Sequence, residues 1–317
     1  MTIHQAALMS RRRFLMSTAA AGAAAWLAPR RLLGDEPTIV EQIRHAAATG
    51  PMSVQRLRGP LSVIIGSGGN ITVLPGPDGT LLIDSGIVGA RVAKSVATIS
   101  EAPIRHVINT HWHFDHTDAN GWMHAHGAAI MAQENTRRHL STTTRVVDWQ
   151  FTFPPAAAGA LPTSVFTGAR TLQLNGSPIV LKQYAPAHTD SDISVHFPDV
   201  DVLHVADTWW NGIYPFIDYS TGGSIDGTIR ATEENLARVS ASTVIVPGHG
   251  RPVGDKAQLT KYRDMLVTVR DRVAALKRQG RVLADVVAAK PTAAFDATWG
   301  GSVIDPGLFT RLVYEGV

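Results

Sequence analysis

The sequence predicts an α/β sandwich with its site at the ends of strands. Two observations carry that reading. Short apolar, β-branched runs alternate twice with segments of helical periodicity. Each of the two halves then ends in a loop that carries histidine directly after a strand.

The chain has 317 residues, enough for one large domain or two modest ones. Its 44% apolar and 17% charged residues are ordinary for a packed globular chain, so a sizeable core is expected. Residues 1–33 read as a twin-arginine export signal. Arg11, Arg12 and Arg13 precede Phe14 and an Ala-rich apolar stretch that is too short for a membrane span of ~20 residues. The expected location is periplasmic or secreted, with the twin-arginine export machinery as a partner and no stable membrane span in the mature chain. Residues 1–31 hold five arginines and no acid, so their removal takes the formal net charge from +3 to −2. The basic balance therefore belongs to the label, and no nucleic-acid partner is expected.

Residues 34–54 read as a linker with a short helix that ends at Gly50-Pro51. A domain over 55–255 follows. Leu61–Ile65, Ile71–Leu74 and Leu81–Ile83 are strands split by Gly-rich and "PGPDG" turns. A helix is expected near Ala90–Ser100, and "IRHVIN" is a buried strand. A helix then stops at Gly127, "AAIMAQ" is a strand, and "ENTRRHL" opens another helix. The aromatic and Pro-rich stretch Asp148–Pro162 reads as an irregular insertion and a candidate lid. Strands resume at Arg170–Leu174, Ile179–Ala185, Ile193–Phe197 and Val202–Ala206. A helix near Thr228–Ser240 leads to the strand "TVIVPG". Residues 256–317 form a long amphipathic helix, with Tyr262, Met265, Leu266, Val269 and Val273 on one face, and a tail packed on the domain.

The densest chemistry is "NTHWHFDHTD", Asn109–Asp118. A spacing of two puts His111 and His113 on one side of an extended backbone. Asp115 and His116 follow in a turn that can aim them at a neighbouring point. Two ligand clusters that close suit a two-metal site. Later strand ends carry His188, Asp207 and His249, the last between two glycines. With no cysteine in the chain, a transition-metal site must use imidazole and carboxylate. "HAH" at His124 and His126 is a decoy, because helical residues two apart diverge by ~200°. His4, His45, His106, His139, His196 and His204 lack a partner pattern and read as surface or half-buried groups.

The H-x-H-x-D-H pattern of His111, His113, Asp115 and His116, with His188, Asp207 and His249, resembles the metallo-β-lactamase superfamily. So does "LLIDSG" with Asp84. The resemblance implies a four-layer αββα sandwich with a dinuclear zinc site. It implies that His111, His113 and His188 hold one Zn²⁺, that Asp115, His116 and His249 hold the second, and that Asp207 bridges. Iron or manganese would suit the same donors. The implied reaction is attack of a metal-activated hydroxide on a carbonyl, with Asp115 orienting it and relaying a proton. Asp207 stands where typical zinc β-lactamases carry cysteine or serine, which is more like thioesterases of the glyoxalase II type and lactonases. The expectation is an exported hydrolase of a small-molecule lactam, lactone or ester. The alternatives are an iron-dependent, dioxygenase-like redox enzyme and a glyoxalase II-type thioesterase. Asp84 is expected to bond a ligand or a loop amide. Trp209, Trp210, Tyr214, Phe216 and Tyr219 are expected to wall a substrate pocket that Trp149, Phe151 and Phe153 could close.

Overall fold

The computed structural model describes residues 37–317. The export-signal reading of residues 1–33 lies outside the described residues.

The chain enters through α1 (Ile39–Thr49). Its amide end is closed by a capping box in which Thr38 and Glu41 satisfy each other's backbone donors. Then come β1 (Ser53–Arg56), β2 (Ser62–Ile65), β3 (Ile71–Leu74), β4 (Thr80–Ile83), α2 (Gly89–Val96) and β5 (Ile104–Asn109). The short helices α3 (Phe114–Thr117) and α4 (Asn120–Ala125) precede β6 (Ala129–Gln133) and α5 (Glu134–Ser141). Next are β7 (Thr144–Val146), β8 (Phe151–Phe153) and β9 (Ser164–Phe166). The second half holds β10 (Ala169–Leu174), β11 (Ser177–Gln183), β12 (Ile193–Phe197) and β13 (Val202–Asn211). It continues with α6 (Ile225–Arg238), β14 (Val244–Gly250) and α7 (Lys256–Arg278). Three shorter helices close the chain: α8 (Leu283–Ala288), α9 (Asp296–Trp299) and α10 (Pro306–Glu315).

Two sheets form the centre. One runs β1-β2-β3-β4-β5-β6-β9, antiparallel up to β4 and parallel beyond it. The other runs β10-β11-β12-β13-β14, with only the last pair parallel. Strand alternation sorts the side chains into layers. Val63, Leu81 and Ile83 face the second sheet and meet Leu181, Val195 and Val202. Their neighbours Ile64 and Leu82 turn outward, onto Val92, Val96 and Met123 of α2 and α4. On the far side Leu203, Val205 and Ile245 pack on Ile229 and on Leu259, Met265 and Leu266 of α6 and α7. The result is a four-layer αββα sandwich with a C-terminal helical extension, as the sequence led one to expect.

Three details differ from the sequence reading. The Asp148–Pro162 stretch is not irregular throughout, because β7 and β8 pair as a small hairpin around it. Phe151 and Phe153 pack on each other, and Phe153 stacks on Phe114. Strand β13 runs five residues beyond Ala206, so Asp207 lies within a strand and not at its end. His204 is fully buried between the sheets, where it shares a 2.8 Å hydrogen bond with Thr72 of β3.

Candidate metal centre

Four loops or strands converge at one edge of the sandwich. The turn after β5 brings His111, His113, Asp115 and His116, and the loop after β11 brings His188. β13 brings Asp207, and β14 brings His249. Six of these seven are at least nine-tenths buried, and His249 is half-buried.

Hydrogen bonding fixes which ring nitrogen four of the five histidines turn inward. His113 donates Nε2–H to Asp218 at 3.0 Å, leaving Nδ1 as the lone pair. His116 donates Nδ1–H to Asp84 at 2.8 Å, leaving Nε2. His188 donates Nδ1–H to the Phe216 carbonyl at 2.8 Å, again leaving Nε2. His111 is settled one step back. The Thr110 hydroxyl donates to Asp84 at 2.8 Å, so it can only accept from His111 Nδ1–H at 3.1 Å. Among the described residues the buried His111 Nε2 then has no hydrogen-bond partner, and Asp207 Oδ1 has only the His116 Nε2 lone pair 3.2 Å away.

These inward atoms form three trios, each with donors within 4.8 Å of one another: His111, His113 and His188; His111, His116 and Asp207; Asp115, His116 and His249. His188 Nε2 lies 2.9 Å from His113 Nδ1, and His249 Nε2 lies 3.3 Å from His116 Nε2. Asp115 Oδ2 is 3.2 Å from His249 Nε2. Donors on a tetrahedral ion with bonds of ~2.0–2.1 Å stand roughly 3.3 Å apart. Asp207 Oδ2 lies 3.4 Å from His188 Nε2 and 3.2 Å from His249 Nε2, within reach of both ends of the cluster. Buried imidazole nitrogens and carboxylate oxygens that converge at such spacings fit a metal ion.

The protein's own charges are polarised the same way. Burial works against the Asp115 carboxylate, yet the imidazoles of His116 and His249 hold it down to about 2. Burial also opposes ionisation of Asp207, and His249 and His116 overcome it, keeping its pKa well below the ordinary value. Burial lowers His249, but Asp207 and Asp115 raise it to about 9. Burial, reinforced by His116, drops His111 well below its ordinary value, so that ring is neutral.

Glycines make room for the cluster. A Cβ on Gly69 would strike the His116 ring, and one on Gly248 would strike Asp207 Oδ1. The glycines beside His249 therefore have different reasons. Gly250 adopts φ +82° for the turn, whereas Gly248 gives clearance.

Asp84 sits at φ 68° and accepts from the Thr110 amide at 2.7 Å as well as from His116. Asp218 and Asp192 were not singled out from the sequence. Asp218 orients His113. Asp192 accepts from the Thr189 amide and hydroxyl and so shapes the loop of His188. Burial pushes Asp192 up to about 6. The sequence shows "IDYST" as an Asx turn, but nothing in it reveals contact with a histidine 105 positions away.

A cavity of about 470 Å³ opens above Asp115, Asp207 and His249. Trp210 and Phe216 line it, and Trp149 stacks on Phe216. Trp209 and Tyr214 do not line it. Register shifts in β13 around Ala206, which has φ 45°, put Trp210 on the Asp207 side, where its Nε1–H bonds Asp207 Oδ2 at 3.1 Å. Trp209 is fully buried and does not reach the cavity. Tyr214 stacks on Phe309 and donates to Asp296 at 2.9 Å. Tyr219 is likewise outside the lining, its hydroxyl accepting from the Ile225 amide. His124 and His126 lie apart from the cluster, on α4 and just after it.

Residues 64–275 match the family described as the metallo-beta-lactamase superfamily. The chain belongs to that superfamily, and its His/Asp cluster is able to bind metal. Among solved structures it is similar to the stereoselective inverting sec-alkylsulfatase Pisa1 from Pseudomonas sp., at 17% identity and a TM-score of 0.61. That match covers 89% of this chain and 53% of the other, so the chain spans about half the sulfatase's length. It is similar to a metallo-beta-lactamase from Pontibacter korlensis, at 16% identity and TM-score 0.55, covering 68% of this chain and 99% of that one. The DIM-1 metallo-beta-lactamase gives 18% identity and TM-score 0.54, over 68% and 97%. Among the described residues no helix is long and apolar enough to cross a membrane.

Proposed function

We propose that this chain is an exported hydrolase that holds two zinc ions and cleaves a lactam, lactone or ester. One observation carries the reading: among the described residues, the buried His111 Nε2 has no hydrogen-bond partner and sits inside a converging set of imidazole and carboxylate donors. Leaving such an atom unsatisfied costs about 1–3 kcal/mol, which a bound cation reverses. His111, His113 and His188 would hold one ion, and Asp115, His116 and His249 the other. Asp207 would serve both. Two bound ions supply Lewis acidity and a water acidic enough to attack near neutral pH. The residues do the rest. Asp115, ionised and facing the cavity, would hold the ion through one carboxylate oxygen, take a proton on the other and return it to the leaving group. Trp210 holds Asp207 in place through its indole N–H.

Metal analysis of the purified chain, with hydrolysis of a chromogenic cephalosporin, a lactone and an aryl ester run with and without chelator, tests the proposal. Two zinc ions and chelator-sensitive turnover of one of these substrates are expected. Tightly bound iron with no hydrolysis would instead favour a redox enzyme. Turnover of an alkyl sulfate or a glutathione thioester alone would move the substrate class. Export rests on the arginine-led N-terminus, and a periplasmic form starting after residue 20 would support it.

A further inference from the structure

The cavity over the cluster is walled by parts of the chain that lie outside the family-matched span of 64–275. Ile39 and Ile43 of α1 are one helical turn apart and line it side by side. Val303 and Ile304 come from the segment that leads into α10, and Leu308 from its first turn. Trp149 of the hairpin adds an aromatic face. Among the described residues, no lysine or arginine lines this cavity. The nearest acidic wall residue away from the cluster, Asp148, is already paired with Arg311 at 2.8 Å. Hydrophobic side chains also continue out of the mouth. Val303 is 54% exposed, and Val147, next to Asp148, is 62% exposed.

We infer that the substrate carries an uncharged alkyl or aryl tail, gripped between α1 and the 302–308 segment while its reacting group lies over the cluster. This rests on the hydrolase reading for the reacting group. The tail pocket itself does not depend on it. With cations bound, the cluster would give the cavity its cationic character, so an anionic group would have a place there and none further out. A tail ending in carboxylate or sulfate would be desolvated against isoleucine and valine without a counter-charge. A methylene tail instead gains contact with each carbon, until it reaches water at Val303.

Two measurements separate the inferences. Binding of butanol, octanol and dodecanol to the full chain can be read by the intrinsic fluorescence of Trp149 and Trp210, with metal and with chelator. Each methylene should tighten binding by about three- to fourfold until the cavity is filled. Binding that is flat with chain length in both metal states overturns the tail inference. Turnover of aryl acetate, octanoate and ω-carboxyoctanoate esters is the second readout. The octanoate should show the lowest KM and the ω-carboxylate should lose that gain. An ω-carboxylate that matches octanoate overturns the inference. Val303→Asp should raise the KM for octanoate and weaken dodecanol binding about tenfold or more, whereas Val282→Asp, on an equally exposed valine far from the cavity, should not. If both substitutions behave alike, the 302–308 wall does not select the tail. Chain-length-dependent fluorescence with no ester turnover would leave the tail pocket standing and overturn the hydrolase reading alone.

Discussion

His113 donates its Nε2–H to Asp218, and that bond aims its Nδ1 at His188 Nε2, 2.9 Å away. Asp218 is itself fixed by the Thr221 hydroxyl at 2.6 Å and the Ser220 amide at 3.0 Å. The Trp112 indole donates to that same hydroxyl at 3.1 Å. The carboxylate therefore selects the tautomer that presents a lone pair to the cluster. Asp218→Ala is predicted to weaken zinc binding about 10- to 100-fold. Competition against a chromophoric chelator measures it, with circular dichroism confirming the fold. Unchanged affinity in a folded variant would show that Asp218 merely caps its own turn.

Gly248 is predicted to tolerate no side chain. Its neighbour across the parallel β13–β14 pair is the Asp207 carboxylate, and a Cβ would collide with Oδ1. Gly248→Ala should cost roughly 1–3 kcal/mol, as overpacking does, and should lower metal content. Gly301→Ala is the matched control, since a Cβ there meets open space. Urea midpoints and metal analysis of both variants decide the matter. Equal behaviour would mean that Asp207 can swing aside and that its position is not set by Gly248.

Metal removal is predicted to destabilise the whole domain, because the donors come from both halves of the sandwich. A ligand at a thousandfold excess over its Kd adds about 4 kcal/mol to folding. Zinc should therefore raise the melting temperature and chelator should lower it. A melt indifferent to both would mean that the cluster is stable through its own hydrogen bonds.

The strands and the motif histidines were legible in the sequence because both are local signals. A run such as "ITVL" announces its own buried strand, and H-x-H-x-D-H carries its spacing with it. Asp218 was not legible, since its partner lies across the fold. Trp209 and Trp210 were legible as aromatics but not as to direction. Simple alternation from Asp207 would have turned Trp209 to the cavity, and the register shifts at Ala206 reverse that. Asp207 was assigned to a strand end for a related reason: polar residues usually stop a buried run, but here the strand continues through "DTWWN". The walls of the cavity were the least visible part. Ile39, Val303 and Leu308 look like ordinary apolar residues until α1 and the 302–308 segment come together over the cluster.

His204 gives the last prediction. It was expected near the surface, yet it lies between the sheets with Nε2 unpartnered. Burial, reinforced by His116 and opposed by the Asp84 and Asp207 carboxylates, lowers its pKa from 6.5 to about 4. The unfolded chain thus takes up a proton at this residue below pH 6.5, while the folded chain resists until about pH 4. The stability linked to His204 is complete above the unfolded value and is lost as pH falls from 6.5 to about 4. A gap of this size corresponds to about 3 kcal/mol. His204→Gln cannot titrate and still reaches Thr72. Its unfolding free energy should fall less steeply over that window than the wild type's, by about 3 kcal/mol in total. Parallel curves from urea unfolding across the window would place the acid sensitivity elsewhere, in the cluster at the sandwich edge.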